Sequence, residues 1–213
     1  MIDNESAARD YIASLAGGGG AKLAIERLEL LADRLRRENE RQNLVSAASL
    51  DEVWVRHFAD SAQLLAHVPR GTSPILDLGS GAGFPGLVLA LLRPDARTVL
   101  VESRARRVEW LEAMVAELAL SRCMVEGARL EIVETFSAGA ITARAFAPLP
   151  KLLSLSARFS TSDTTWVLPK GRSAAQEVAE LPARLRSMFH VEQSLTGEEA
   201  GIILGRGRVE ARS

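Results

Sequence analysis

Ile75-Leu76-Asp77-Leu78-Gly79-Ser80-Gly81-Ala82-Gly83-Phe84-Pro85-Gly86 reads as a short apolar strand that runs into a glycine-rich turn, and the turn opens a helix. Glycine lets the backbone turn sharply and approach a ligand closely, while the helix presents free N–H groups at its first turn. Pro85 suits that turn, where its missing N–H costs nothing. Downstream, β-rich runs at 98–101, 129–133, 140–143 and 165–168 alternate with helical patterns at 86–92, 106–120, 149–159 and 174–186. Apolar strands alternating with helices predict a parallel sheet covered on both faces. The end of the chain departs from that rhythm. Residues 189–195 and 202–209, joined through Thr196-Gly197 and Gly201, read as two successive strands with no helix between them. The predicted class is α/β: a doubly wound, mostly parallel, Rossmann-like sheet with a C-terminal antiparallel strand pair and an N-terminal helical cap.

The glycine loop fits two ligand patterns. Gly81, Gly83 and Gly86 satisfy G-x-G-x-x-G, the dinucleotide fingerprint. Asp77, Gly79, Gly81 and Gly83 satisfy D-x-G-x-G-x-G, which resembles the loop of S-adenosyl-L-methionine (AdoMet) methyltransferases. Glu102, at the predicted end of the second strand, is placed to accept ribose hydroxyl hydrogen bonds in either case. Asp77 favours AdoMet, because a carboxylate beside the loop suits a cationic methionyl group and sits poorly near a pyrophosphate. A tight turn without a ligand is the plain alternative. In open α/β sheets, ligands bind beyond the carboxyl ends of the strands, where strand order reverses. Glu131 lies within the third predicted strand, Arg144 just past the fourth and Lys170 just past the fifth. The usual strand order sets the fourth strand beside the first, which brings Arg144 to the glycine loop; otherwise it is a surface charge.

Residues 1–70 read as the helical cap and 71–213 as the core. A first helix over 2–15 and a second over 21–39 are separated by the glycine run 17–20, since glycine costs about 1 kcal/mol per residue relative to alanine in a helix. Ala24, Leu28, Leu31 and Leu35 give the second helix an apolar face, and Arg27, Arg34, Arg36, Arg37 and Arg41 read first as a solvated one. Ser49-Leu50-Asp51-Glu52 is a capping-box pattern that opens a third helix, running to 67, with Val53, Trp54, Phe58, Ala62 and Leu65 toward the core.

The composition narrows the function. The 213 residues are 47% apolar and 25% charged, enough for one substantial core without staples. One cysteine, Cys123, excludes an internal disulfide framework, and with only three scattered histidines no Cys/His metal site is expected. The longest apolar run, 87–92, falls far short of a membrane helix, and the polar start does not resemble a signal peptide, so a cytoplasmic, membrane-free protein is expected. A net charge of -1 argues against bulk electrostatic nucleic-acid binding and leaves only local basic patches.

Asn43-Leu44-Val45, Arg56-His57-Phe58-Ala59-Asp60-Ser61, the glycine loop, Glu102-Ser103, Arg144-Ala145-Phe146-Ala147 and Lys170-Gly171 occur in the order and spacing of the RsmG (GidB) family. From about residue 21 to the end, the chain resembles these bacterial enzymes, which methylate N7 of a guanine in small-subunit (16S) ribosomal RNA. The resemblance implies AdoMet contacts at Gly79, Phe84, Leu130, Glu131 and Arg144, with Glu102 as the ribose acid. The sequence departs from the family in two places. The segment before Arg144 lacks the acidic residue that commonly opens that strand, and Pro169 stands before Lys170 where many members have leucine.

Guanine N7 has an exposed lone pair, so this chemistry requires in-line orientation at about 3 Å and exclusion of water rather than a general base. Arg144 is therefore expected to position substrate through cofactor, phosphate or base O6, and Lys170 to meet an RNA phosphate. His57 and Asp60 are candidate RNA contacts; the alternative is an i,i+3 pair that orders the cap. With Ser61 they form no nucleophilic triad, because all three sit in one short helical stretch. Arg106 and Arg172, with Arg34, Arg36, Arg37, Arg41, Arg104 and Arg107, are candidate basic patches, and the expected partner is the small-subunit RNA or its particle, met by a monomer. Competing readings are a small-molecule or protein methyltransferase, a nicotinamide oxidoreductase in the G-x-G-x-x-G register, and a non-catalytic RNA-binding protein of the same fold.

Overall fold

The computed structural model describes residues 1–16 and 20–210. The helix break expected at 17–20 lies, apart from Gly20, outside the described residues. Two cap helices, α1 (Glu5–Ala16) and α2 (Ala21–Gln42), precede a short α3 (Ala47–Asp51). Asn43 ends α2 in the left-handed region at φ 46°, and the Asn39 side chain binds both the N–H and the carbonyl of Val45. The capping serine is Ser46 rather than Ser49: its Oγ accepts from the Ser49 N–H, so Ser49 is already inside the helix. The expected third helix is also not continuous. After α3 the chain makes a π-helical turn (Trp54–Ala59), a single α turn, α4 (Asp60–Ala62), and a 3-10 turn (Gln63–Ala66). π turns concentrate at functional sites, and this one carries His57.

The sheet contains β1 (Ile75–Leu78), β2 (Thr98–Val101), β3 (Cys123–Glu126), β4 (Ala140–Ala143), β5 (Thr165–Lys170), β6 (Phe189–Gln193) and β7 (Gly201–Arg206). Their order is β3-β2-β1-β4-β5-β7-β6, with β7 antiparallel to both neighbours. The doubly wound sheet and the terminal antiparallel pair are therefore present as predicted, and β4 does lie beside β1. The third strand is a correction. The run 129–133 is not a strand; β3 lies earlier, opening at Cys123, and Leu130–Ile132 forms a 3-10 turn with Ile132 exposed. Cys123 is buried at the head of β3, and burial pushes its thiol up to about 12, which leaves it protonated and inert.

Strand side chains alternate between two cores. Ile75, Leu100, Ala140 and Val167 face a cluster shared with α2 and the cap, while Leu76, Val99, Ile141 and Trp166 face the opposite one. Helices α5 (Gly86–Leu92) and α6 (Ala105–Glu117) follow β1 and β2, and α7 (Leu149–Ser156) follows β4. The helix expected over 174–186 is split into α8 (Ala174–Ala179) and α9 (Ala183–Arg186) at Pro182, which cannot donate to a continuing helix. Among the described residues, no helix is long and apolar enough to cross a membrane.

Candidate active site

Two pockets open at the carboxyl ends of the parallel strands. A cleft of about 360 Å³ lies over the ends of β1 and β2, lined by Gly79, Glu102, Leu130, Glu131, Phe146 and the side chains around them. A second pocket of about 340 Å³ lies over β4 and β5, lined by Ser49, Arg56, His57, Asp60, Arg144, Lys170 and the β6–β7 loop. Ala145 lines both, and it holds a left-handed φ of 52°, a costly conformation for a residue with a side chain.

The glycine loop is shaped by what stands behind it. The Asp77 carboxylate is wholly buried: Oδ2 accepts from the Gly86 N–H at 3.1 Å and Oδ1 from the Thr142 hydroxyl at 3.0 Å. The second contact follows from strand register, since Asp77 is paired with Thr142 across β1 and β4. Burial pushes Asp77 up to about 6, against the donors Ser80, Thr142 and Gly86, which favour its ionised form. Asp77 thus pins the first turn of α5 to the sheet and does not face the cleft. Gly79 has φ 64°, and a Cβ there would lie 2.5 Å from the Phe146 ring. Glu102 accepts from the N–H groups of Ser103 and Arg104 on Oε1 and of Gly81 on Oε2, which aims a preorganised carboxylate along the cleft wall.

The second pocket is organised around Arg144. Its Nη2 donates to His57 Nδ1 at 2.9 Å, and its Nη1 donates to the Arg56 carbonyl at 3.1 Å and lies 3.5 Å from Asp60 Oδ2. With Arg144 donating to Nδ1, the imidazole proton sits on Nε2, 3.1 Å from Ser49 Oγ. The ring is stacked on Phe84, and burial, then Arg144 and Arg56, push His57 down to about 3, so it is neutral. His57 and Asp60 do not pair with each other; both serve Arg144.

Of the residues predicted to hold a cofactor, Gly79, Glu102, Leu130 and Glu131 line the cleft. Glu131 arrives there from the 3-10 turn after β3, not from within a strand; Arg158 anchors that turn through the Leu130 carbonyl. Gly81, Gly83 and Asp77 shape the loop from behind, Phe84 is buried beneath His57, and Arg144 belongs to the second pocket. Lys170 does not present a free ammonium: its Nζ donates to the Ala147 carbonyl at 3.0 Å and to Glu177 Oε2 at 2.9 Å, tying the 144–147 loop to α8. Arg172 is exposed and paired with Glu199 at 2.5 Å. The carbonyl of Arg106 receives Gln42 of α2, so that residue joins cap to core. On α2, Arg34 pairs with Glu117, Arg36 with Asp33 and Arg41 with Glu38. Phe146, part of the Arg144–Ala147 motif, lines the cleft together with Lys151 and Arg129, which no sequence motif marks.

This strand order, with a glycine loop after β1 and an acid after β2, defines a Rossmann-like methyltransferase. The O-methyltransferase TomG from Streptomyces achromogenes, solved in complex with SAM, shares the fold at a TM-score of 0.56, with 16% identity over 85% of this chain and 90% of that one. A family model described as rRNA small subunit methyltransferase G matches residues 24–201. The ribosomal RNA small subunit methyltransferase G of Erythrobacter litoralis is 60% identical over 99% of this chain and 100% of its own length. Its counterpart in Novosphingobium aromaticivorans is 55% identical over 86% of this chain and 80% of its own length. The chain belongs to the small-subunit ribosomal RNA methyltransferase G family.

Proposed function

We propose that the protein transfers the methyl group of AdoMet to N7 of one guanine in 16S ribosomal RNA. The observation that carries this reading is the pair of pockets that meet at Ala145: one suits a nucleoside-bearing donor, and the other, lined by cap, β4, β5 and the β6–β7 loop, suits an extruded base. The cleft fits the donor on its own terms. A Cβ at Gly79 would press on the Phe146 ring in the cleft lining, Glu102 offers a carboxylate to ribose hydroxyls, and Leu130, Phe146 and Leu155 offer apolar surface to a purine. When bound, AdoMet supplies an electrophilic methyl on a sulfonium.

The protein's own part is orientation. N7 brings its own lone pair, so no side chain has to remove a proton, and the neutral His57 is not asked to. Arg144, held from three sides, orients the base at its O6 edge. The Ala145 backbone sets the distance between the pockets, and positioning of this kind supplies roughly 7 to 11 kcal/mol of a bimolecular barrier. Arg104, Arg129 and Lys151 rim the cleft as cations open to RNA phosphates, while Arg107 stands 3.9 Å from Glu102 Oε2. Lys170 acts indirectly by fixing the 144–147 loop.

The test is transfer of labelled methyl from AdoMet to small ribosomal subunits purified from a strain lacking this protein, followed by nucleoside digestion and chromatography. A single labelled 7-methylguanosine per subunit is expected. A different labelled nucleoside, or none with AdoMet bound, would overturn the reading.

A further inference from the structure

Asp60 carries an acceptor that the reaction itself does not require. Its Oδ1 is saturated by the Thr196 hydroxyl at 2.7 Å and the Gln63 amide at 3.0 Å. The orientation of that amide is set, because Gln63 Oε1 accepts from the Leu195 N–H at 2.7 Å, which turns Nε2 toward Asp60. Oδ2 has only the long 3.5 Å contact with Arg144 Nη1, and both side chains remain about one-fifth exposed in the wall of the second pocket. A carboxylate oxygen with one weak partner keeps lone-pair capacity. Arg144 keeps donors as well: its Nε–H and one Nη2–H have no partner among the described residues.

We infer that Arg144 and Asp60 form a donor–acceptor pair that reads the O6/N1–H edge of the target base and so makes the pocket specific for guanine. The inference rests on the N7 reading above and adds the discrimination that N7 cannot supply, since adenine has an N7 too. Guanine presents an acceptor, O6, beside a donor, N1–H. Adenine presents the reverse, an amino donor beside the N1 acceptor. Against Arg144 and Asp60, guanine makes two charge-assisted hydrogen bonds, whereas adenine sets donor against donor and acceptor against acceptor. Pockets built around hydrogen bonds reject such analogues far more strongly than apolar pockets reject a change of shape. The β6–β7 loop belongs to this device, because Thr196 and Gln63 hold the carboxylate in the orientation that leaves Oδ2 free.

The experiment uses small subunits rebuilt from ligated ribosomal RNA with guanosine, inosine or 2,6-diaminopurine riboside at the mapped target. Inosine keeps O6 and N1–H; diaminopurine keeps N7 and the 2-amino group but reverses the O6/N1 pair. The wild-type enzyme is expected to use inosine within about 5-fold of guanosine and diaminopurine about 100-fold less well in kcat/KM, the scale of a lost bidentate contact. In Asp60→Asn the Gln63 and Thr196 donors hold the amide oxygen, so its NH2 replaces Oδ2 and the preference for guanosine over diaminopurine shrinks at least about 10-fold. Because both enzymes act on the same bases, intrinsic differences in N7 reactivity cancel. Inosine as poor as diaminopurine with the wild type, or an unchanged preference in a folded Asp60→Asn, overturns the inference. Methyl placed on no guanosine N7 by the wild type overturns the parent reading instead. The wild-type comparison needs no variant, so it stands even if Asp60→Asn fails to fold.

Discussion

Arg144 Nη2 lies 2.9 Å from His57 Nδ1, and the imidazole that receives it is stacked on the Phe84 ring with centroids 4.8 Å apart and planes 11° apart. Through this contact the cap, the glycine loop and the end of β4 share one side-chain assembly. His57→Ala removes the acceptor of a charged donor and opens space under the guanidinium. A fall in kcat/KM on small subunits of about 10- to 100-fold is expected, the value of a hydrogen bond to a charged group. AdoMet affinity, read by calorimetry, should move by less than about 3-fold, because His57 does not line the cleft. His57→Asn, whose Oδ1 falls near the Nδ1 position, should recover part of the loss.

Two buried groups make stability depend on pH with opposite signs. His57 is held at about 3 in the folded state against 6.5 when free, so the unfolded chain takes up its proton first, and stability is lost as pH falls from 6.5 toward 3. Asp77 is held at about 6 against 3.8, so its contribution is full below 3.8 and is lost as pH rises through 6. Between pH 4 and 6 the two slopes, each up to about 1.4 kcal/mol per pH unit, oppose one another. Asp77→Asn should therefore lose stability more steeply than wild type as pH falls from 6.5 to 4, and His57→Gln less steeply. Denaturant unfolding at four pH values reads both, and slopes identical to wild type would contradict the assignment.

Gly79→Ala combines a left-handed φ of 64° with a Cβ placed 2.5 Å from the Phe146 ring. The backbone conformation alone costs about 1–2 kcal/mol. AdoMet binding should weaken at least about 10-fold, the factor that 1.4 kcal/mol represents. Adding Phe146→Ala removes the collision but not the strain, and it also takes away the ring's own apolar surface, so the double variant, compared with Phe146→Ala alone, should still bind more weakly. Affinity equal to that of Phe146→Ala alone would assign the whole effect to the ring.

Lys170 supports the 144–147 loop through Ala147 and Glu177. Glu177, though partly buried, is held below the usual carboxylate range by its partners Lys170, Leu149 and Ser173. Lys170→Met should destabilise the fold by about 2–3 kcal/mol, because it leaves Glu177 half-buried without its cation. The dependence of subunit binding on salt should stay unchanged. In Arg104→Ala or Arg129→Ala the salt slope should instead fall by about 1, as for a lost phosphate contact. A shallower slope in Lys170→Met would return Lys170 to the RNA.

Local chemistry was legible in the chain as written. Strands β2 and β4 coincide with their predicted bounds and β1 leads into the glycine turn as expected, because each is a short, mostly apolar run buried along its whole length. The glycine loop was equally plain, since its positive φ values at Gly79, Gly81 and Gly83 leave few other residues possible. β3 was misplaced because it is an edge strand with Met124 exposed, so its pattern is weaker than the Leu130-Glu131-Ile132 run that follows. The cap helix was misread because its true cap, Ser46, has no acidic residue three positions on, whereas Ser49-Leu50-Asp51-Glu52 carries the fuller pattern, and a π turn leaves no composition signal.

The family motifs marked His57, Asp60, Arg144 and Lys170 as residues of interest, but not what each one does. Those roles depend on contacts between residues far apart in the chain: Arg144 with Asp60 and His57, Asp60 with Thr196, Gln63 with Ser194. A sequence shows which side chains can donate, accept or carry charge. Whether a given charge meets solvent or a buried partner is settled by the sheet order, which brings β4 against β1 and folds the β6–β7 loop back over the cap. Lys170 and Asp77 make the point. Both look like ligand contacts in the sequence, yet both are occupied by their own protein, because burying a charge without a partner is too costly to leave undone.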